Sequence, residues 1–151
     1  MSLYSFRTAK IEDIPKLVGL LHQLFSQEVE FTPDADKQTS GLHQIVGNDQ
    51  IGKILIAIKD DEIIGMVNLL YTVSTYMGSR VCILEDMIIS SPHRSSGVGS
   101  QLLHVAVQVA TSDGCGRITL LTDHDNIHAQ RFYGKHGFTR SSMIPMRRII
   151  D

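Results

Sequence analysis

Two glycines, Gly97 and Gly99, stand one residue apart where an apolar run ends and an amphipathic pattern begins. Glycine lets the backbone approach a ligand closely and adopt dihedral angles that other residues disfavour. The first N–H groups of a helix have no internal acceptor, and together they carry about half a positive charge. The segment therefore predicts a phosphate site built from backbone amides, to which Arg94 would add a charged donor.

Two nucleotide-binding patterns can be compared with this glycine segment. The Walker A phosphate loop requires G-x-x-x-x-G-K-[ST], and the sequence has no such string. The dinucleotide fingerprint requires a third glycine where Leu102 stands, and it allows no insertion such as Ser91 to Ser96 between strand and glycines. A nicotinamide-dependent oxidoreductase, with Asp123 bound to the ribose, is therefore only a weak alternative.

Two neighbouring carboxylates, Glu85 and Asp86, interrupt the apolar run from Val81 to Ile89. Carboxylates that lead into a ligand loop are candidates for taking a proton from a substrate. Neighbours in a strand point to opposite faces, so we expect at most one of the two to face an acceptor pocket. The alternative is a structural carboxylate that is satisfied by a nearby amide or by Arg80.

The elements that must position these groups follow from the spacing of apolar residues. Helical spacing predicts helices from Ile11 to Phe25, over 34–48, from Val98 to Ala110 and over about 126–135. β-rich runs predict strands over 3–7, Ile54–Ile58, Ile63–Val73, Val81–Ile89, Arg117–Thr122, Phe138–Arg140 and Met146–Ile150, with a hairpin at Lys59–Glu62. The order is β-α-α-β-β-β-α-β-α-β-β. No repeat or linker interrupts residues 1–151, so one domain is predicted.

Composition narrows the class of protein further. The 151 residues carry 14 Lys and Arg against 16 Asp and Glu, a net charge of −2 that offers no general attraction for nucleic acid or membranes. Cys82 and Cys115 have no disulfide or metal-ligand spacing, and the seven histidines form no zinc motif. With no signal peptide and no apolar run of about 20 residues, a cytoplasmic protein without a metal is expected.

Two sequence blocks resemble those of a known superfamily. Pro92-x-Arg94-x-x-Gly97-x-Gly99, after a strand and at the start of a helix, resembles the coenzyme A signature of the GNAT acyltransferases. The run from Asn126 through Tyr133 to Phe138 resembles the second conserved block of that superfamily. The resemblance covers residues 3–150 and implies an α/β (α+β) GNAT fold. That fold has a mixed, mostly antiparallel twisted sheet of about six to seven strands, flanked by about four helices.

The resemblance also implies a co-substrate, acetyl-CoA, and the residues that hold it. The pyrophosphate would rest on the backbone of the glycine segment, and the pantetheine arm would lie like an added strand against the strand before it. Asn126 and Phe132 would line the cofactor. The full implied set is Met87, Ile88, Ile89, Arg94, Ser95, Ser96, Gly97, Val98, Gly99, Ser100, Asn126 and Phe132.

The reaction implied is acetyl transfer to an amine by direct attack in a ternary complex. The hydroxyl of Tyr133 would protonate or hydrogen-bond the departing thiolate. Since an alkyl ammonium group is only ~0.1% deprotonated at neutral pH, a base is needed. The segment Leu84–Met87 resembles the corresponding strand of spermidine/spermine N-acetyltransferases, which favours Glu85 over Asp86. A non-catalytic acyl-CoA-binding module of the same fold is the alternative.

The acceptor and the assembly are less constrained. Acidic residues at Glu28, Glu30, Glu85 and Asp86 favour a small cationic amine. Tyr71 and Tyr76 could line its pocket or cover a sheet edge. A homodimer is a further expectation, formed by pairing of a C-terminal strand over Met146–Ile150 across a two-fold axis.

Overall fold

Five strands form one sheet in the part of the chain that the computed structural model describes, residues 3–27 and 33–151. They are β1 (Ser5–Thr8), β2 (Gly52–Lys59), β3 (Glu62–Ser74), β4 (Ser79–Ile89) and β5 (Cys115–Leu120). Their order in the sheet follows the chain, and all neighbours are antiparallel except β4 and β5, which are parallel. The expected mixed, mostly antiparallel sheet is confirmed, with fewer strands than expected.

The helices begin where the sequence supplies suitable first-turn residues. They are α1 (Ile14–Gln27), α2 (Ala35–Val46), α3 (Val98–Ser112) and α4 (Ile127–Lys135). Pro15 occupies the first turn of α1, where its missing N–H costs nothing. The Asp34 carboxylate caps α2 by accepting hydrogen bonds from the amides of Asp36 and Lys37, at 3.1 and 3.2 Å. The four predicted helices are therefore confirmed, within a few residues at their ends.

The predicted hairpin between β2 and β3 is also confirmed. Lys59 pairs with Glu62 across a two-residue turn, and the turn residues Asp60 and Asp61 have φ of 50° and 62°. Left-handed dihedrals at both positions match the right-handed twist of the flanking strands, and Asp tolerates them better than most residues.

The two faces of the sheet are covered by different helices. On one face, Ile54, Ile56, Met66 and Ile88 form a buried cluster with the apolar stripes of α1 and α2. On the other face, α3 contacts β2, β3, β4 and β5 through a stripe that includes Leu102. The inner strands β2 and β3 are thus covered on both sides, which explains their nearly continuous apolar runs.

The last two predicted strands are wrong. Phe138–Arg140 and Met146–Ile150 carry no strand, and Met146 and Ile150 are 92% and 89% exposed. A strand requires a neighbouring backbone for its hydrogen bonds, and β-rich composition alone does not supply one. The C-terminal strand through which two copies could pair is therefore not formed, and a homodimer stays a prediction.

The chain divides into two units. The first runs to Leu121 and contains the sheet with α1, α2 and α3, and the second, Thr122–Asp151, contains α4. A single domain over residues 1–151 stays a prediction. None of the helices described is both long enough and apolar enough to span a membrane.

Candidate active site

The loop after β4 presents a run of backbone amides. A short 3-10 turn over Ser91–His93 leads to Gly97, which has φ +86° and precedes α3 without any side-chain cap. The first helical hydrogen bond runs from the amide of Gln101 to the carbonyl of Gly97, at 3.3 Å. Among the described residues, no acceptor receives the amides of Ser95, Ser96, Gly97, Val98 and Gly99. These consecutive donors at the start of α3 form a positively polarised stretch of backbone that can bind an anion.

Arg94 ties this loop to the end of β4. Its Nε donates a hydrogen bond to the Ile89 carbonyl at 2.9 Å, and the Ser96 hydroxyl donates to the His93 carbonyl at 2.6 Å. A guanidinium carries five N–H donors, so Arg94 can hold the loop and still offer donors to a ligand. The charged donor expected from the sequence thus also has a structural role.

One edge of β4 is open next to the loop. The ladder between β4 and β5 ends with the pair Leu84 and Leu120, although β4 continues to Ile89. The other edge of this extension is paired with β3, for example Ile88 with Met66. The predicted pantetheine residues Met87, Ile88 and Ile89 lie in the extension. An extended ligand can therefore add to this edge through main-chain hydrogen bonds.

Asp86 lies in a β-bulge that interrupts the same strand. The ladder pairs Asn68 with Glu85 and then Met66 with Ile88, so β4 carries one residue more than β3 between the two pairs. Asp86 has φ +53°, a left-handed conformation that a non-glycine residue adopts at some cost. Such bulges re-aim side chains, often next to functional sites.

The bulge brings both carboxylates to one face. Cross-strand partners share a face of the sheet, so Glu85 lies on the face of Asn68, which α1 and α2 cover. The Asn68 Nδ2 donates to Asp86 Oδ2 at 3.2 Å, which places the Asp86 carboxylate beside the same amide. The expectation that at most one of the two faces a given pocket is therefore wrong, because the extra residue breaks the alternation.

Neither carboxylate has a cationic partner among the residues described. Burial raises the pKa of Asp86, and the hydrogen bond from Asn68 offsets part of that rise. Glu85 is exposed as a whole residue, yet the protein around its carboxyl group raises its pKa, and the charge of Asp86 raises it further. Paired carboxylates with raised pKa values are typical of proton-transfer sites.

The remaining predicted site residues belong to the second unit. Asn126 caps α4, and its side-chain oxygen accepts a hydrogen bond from the amide of Ala129 at 3.0 Å. The rings of Phe132 and Tyr133 pack edge to face with their centroids 5.2 Å apart. Burial raises the pKa of Tyr133 to about 12, so its hydroxyl stays protonated at neutral pH and can donate a proton.

Other sequence candidates lie elsewhere. Glu28 and Glu30 fall outside the described residues. Tyr71 pairs with Cys82, so its side chain lies on the α3 face, opposite the carboxylate pair, and its hydroxyl donates to Asp113. It therefore does not line a pocket at Glu85.

Sequence reasoning missed two polar groups near the site. Asn68 was hidden in an apolar strand, where its only signal is a lone amide among aliphatic residues. Gln23 of α1 has a buried Oε1 to which none of the described residues donates a hydrogen bond. It helps to line a cavity of about 120 Å³ that adjoins Ser90, the residue that follows β4; the lining is Lys16, Gly19, Leu20, Gln23, Ile63 and Ser90.

Known proteins resemble this chain in sequence and in fold. The family model described as acetyltransferase (GNAT) family matches residues 17–138. The chain belongs to the GNAT family. It is 35% identical to the uncharacterised N-acetyltransferase YhfO of Bacillus subtilis (strain 168), over 89% of each chain.

One more distant relative and one solved structure of similar fold can be added. Identity is 24% to the aminoalkylphosphonate N-acetyltransferase of Salmonella typhimurium, over 93% of this chain and 88% of that one. The crystal structure of glucosamine-6-phosphate N-acetyltransferase from Arabidopsis thaliana superposes with a TM-score of 0.76 at 19% identity, over 99% of this chain and 100% of that one. This last likeness shows the fold.

Membership of the GNAT family identifies the kind of enzyme. The chain is an acetyl-CoA-dependent N-acyltransferase. The weak oxidoreductase alternative is thereby excluded.

Proposed function

We propose that this GNAT enzyme moves an acetyl group from acetyl-CoA to a small primary amine by direct attack in a ternary complex. The observation that carries the proposal is the run of amides from Ser95 to Gly99, which have no acceptor within residues 3–27 and 33–151, directly after the edge of β4 that β5 leaves unpaired. A diphosphate attached to an extended arm fits these two features together. Neither a lone phosphate nor a peptide alone would use both.

The glycine loop would hold the diphosphate. Gly97 adopts φ +86°, and a Cβ there would meet no atom within 4 Å, so the glycine serves its dihedral angle and not a tight contact. Backbone amides from Arg94 to Ser100 would surround the phosphate oxygens, while Arg94 supplies a charge from the anchored side chain. The pantetheine arm would then pair with Met87, Ile88 and Ile89, and Asn126 and Phe132 would line the cofactor.

Glu85 would take the proton of the acceptor amine, and Asp86 would assist it. An ammonium group must lose a proton before its nitrogen can attack, and a carboxylate with a raised pKa is a stronger base than an ordinary one. The neutral nitrogen then bonds to the acetyl carbon as the carbon–sulfur bond breaks, and the electron pair leaves with the thiolate. The extra proton that the nitrogen carries after this attack passes to solvent, which leaves the neutral amide. A backbone amide of β4 would stabilise the charge that develops on the carbonyl oxygen.

Tyr133 would protonate the departing thiolate. Burial raises its pKa to about 12, so the hydroxyl carries its proton at neutral pH and can hydrogen-bond the thiolate as well as protonate it. The resemblance of the surrounding block, Asn126 to Phe138, supports this role. Neither cysteine is needed, because direct attack forms no covalent enzyme intermediate.

The acceptor would be a small cationic amine. Two carboxylates that have no cationic partner among the described residues, on the face covered by α1 and α2, favour a positively charged group at that point. The name of the Salmonella relative gives its acceptor as an aminoalkylphosphonate, which also carries an amine on an alkyl chain. An alkylamine, diamine or amino-phosphonate acceptor fits both observations.

A binding and turnover experiment tests the proposal. Acetyl-CoA at 100 times its dissociation constant should stabilise the protein by ~2.7 kcal/mol, and CoA release should depend on an added amine. Gly97→Ala strains the left-handed position and should weaken acetyl-CoA binding at least 10-fold. The matched control is Gly41→Ala in α2, where a Cβ meets nothing within 4 Å and φ is ordinary. Equal affinity in both variants, or no turnover with any amine, would contradict the proposal.

A further inference from the structure

Asn68 is a buried polar residue for which the fold alone gives no reason. It lies in the middle of β3, is 2% exposed, and stands among aliphatic neighbours such as Val67 and Leu69. Its Nδ2 donates to Asp86, but its Oδ1 has no hydrogen-bond partner among the residues described. A buried acceptor left unpaired costs about 1–3 kcal/mol. An aliphatic residue would stabilise this strand better, so the retained amide points to a role at the carboxylates.

The bulge explains why an amide is needed at this position. Asp86 has φ +53°, and the extra residue turns its carboxylate toward the face that already carries Glu85. Two adjacent carboxylates repel each other, and both would otherwise turn away toward solvent. The hydrogen bond from Asn68 holds one of them in place, at 3.2 Å, from the neighbouring strand.

The hydrogen bond from Asn68 also influences the charge states of Asp86 and Glu85. On β3, the polar group beside the carboxylates is Asn68. On β4, Glu85 and Asp86 lie beside each other. No Lys, Arg or His of the described parts of α1, α2 or β5 forms an ion pair with either one. A donor to Asp86 favours its charged form, and a charged Asp86 makes Glu85 a stronger base. The influence of Asn68 on Glu85 therefore passes through Asp86.

We propose that Asn68 is a positioning residue for the reaction: its side-chain amide holds the Asp86 carboxylate beside Glu85, which makes Glu85 the group that accepts the amine proton. This inference rests on the proposed function, since it assumes that Glu85 acts as the base. Asn68 itself touches neither the acceptor nor the acetyl group.

A double-mutant cycle, followed through the pH dependence of the rate, tests this relay, by which we mean that Asn68 acts on Glu85 through Asp86. Asn68→Leu removes the donor at similar volume, and Asp86→Asn removes the charge on which it acts. Each should lower kcat/KM on the order of 10-fold and move the acid limb of the pH profile to lower pH, because Glu85 becomes a weaker base. The double variant should shift the limb no further than Asp86→Asn alone, since the two residues act in series. The dissociation constant for acetyl-CoA should be unchanged in all three.

Two results would overturn the relay. One is a loss of rate in Asn68→Leu with the acid limb unmoved, which is what a purely structural role predicts. The other is limb shifts that add in the double variant.

A measurement on the wild-type chain covers the case in which Asn68→Leu does not fold, and it needs no turnover. The side-chain amide signals of Asn68 in a nitrogen-15 NMR titration should move as the neighbouring carboxyl group titrates, and this movement should vanish in Asp86→Asn. Asn68 signals that do not change with pH, or that change equally in wild type and Asp86→Asn, would contradict the relay. Absence of acetylation with a normal titration would instead count against the proposed function alone.

Discussion

Two carboxylate clusters, Asp113 with its donors and the pair Glu85 and Asp86, lie on opposite faces of the sheet. They differ in the charged groups that lie beside them. Asp113, just after α3, is 2.8 Å from Lys53 and accepts a hydrogen bond from the Tyr71 hydroxyl. Burial alone would raise the pKa of Asp113, but these two donors more than offset it and lower that pKa. The pair Glu85 and Asp86 has raised pKa values and no cation beside it among the described residues.

The difference separates a carboxylate that stabilises the fold from a pair that is available for chemistry. Asp113 joins the end of α3 to strands β2 and β3, and the Arg80 guanidinium adds a bond to its backbone carbonyl at 3.4 Å. Its charge is satisfied within the protein, so it has little capacity for a ligand. The charges of Glu85 and Asp86 remain partly desolvated without a cation from the described residues to offset the cost in free energy, and a cationic substrate would lower that cost.

The largest expected effect is on rate, at Glu85. Glu85→Gln should lower kcat by about 10²–10⁴-fold, the usual contribution of a general base. The free energy of unfolding should not fall, because the variant removes a partly desolvated charge that has no cationic partner in the described part of the chain. Initial rates and urea melts measure the two quantities. Glu62→Gln is the matched control, since Glu62 at the start of β3 is an exposed carboxylate that lies 3.2 Å from Lys16 of α1. A similar loss of rate in Glu62→Gln would contradict the comparison.

The next effect is on stability, at Asp113. Asp113→Asn should lower the free energy of unfolding by about 1–3 kcal/mol, because Lys53 and the Tyr71 hydroxyl lose their charged acceptor. The folded variant should keep its affinity for acetyl-CoA and its kcat. Denaturant melts and isothermal titration check both. A tenfold loss of kcat in folded Asp113→Asn would show that this cluster also serves the reaction.

The sequence predicted most of the scaffold, for local reasons, while the location of the site stays a prediction. Periodic apolar residues specified α1 and α3, and the hairpin at Lys59–Glu62 follows from its turn residues. The glycine loop could be read because a helix start and two glycines are near neighbours in the chain. These features depend on contacts over a few residues.

Features that depend on distant contacts escaped prediction. The bulge at Asp86 exists only through the pairing of β4 with β3, so alternation along β4 alone gave the wrong faces. The role of Asn68 depends on its hydrogen bond to Asp86 on another strand. The role of Asp113 depends on its ion pair with Lys53, which is far away in sequence. The strand expected over Met146–Ile150 lacked the partner that a strand requires.

The pH dependence of stability should have opposite signs for the two clusters. The lowered pKa of Asp113 means that its contribution is present above its unfolded pKa of about 3.9 and is lost as pH falls through the folded value. The raised pKa of Glu85 means that the native state binds more protons between the unfolded value of about 4.3 and the folded one. Its unfavourable contribution therefore shrinks as pH falls through that window.

Difference curves against matched variants isolate these contributions. The stability of wild type minus that of Asp113→Asn should decline below pH ~4, and wild type minus Glu85→Gln should rise as pH falls from 7 toward ~4.3. Urea melts at half-unit intervals of pH supply both curves. Curves of the same sign would mean that the two carboxylates share one kind of environment, contrary to the comparison.

The smallest expected effect is at Tyr71. Tyr71→Phe removes the hydroxyl that donates to Asp113 but keeps the ring, over which the Arg80 guanidinium lies 4.8 Å from the centroid. Asp113 retains Lys53, so the loss in the free energy of unfolding should be about 1 kcal/mol, the typical net contribution of one hydrogen bond. Burial and the bond to Asp113 together raise the pKa of Tyr71, so the hydroxyl is neutral throughout a normal assay and no pH dependence should accompany the loss. Since Tyr71 lies on the α3 face, kcat and the acceptor KM should not change; a change in the KM alone would place Tyr71 in the acceptor pocket after all.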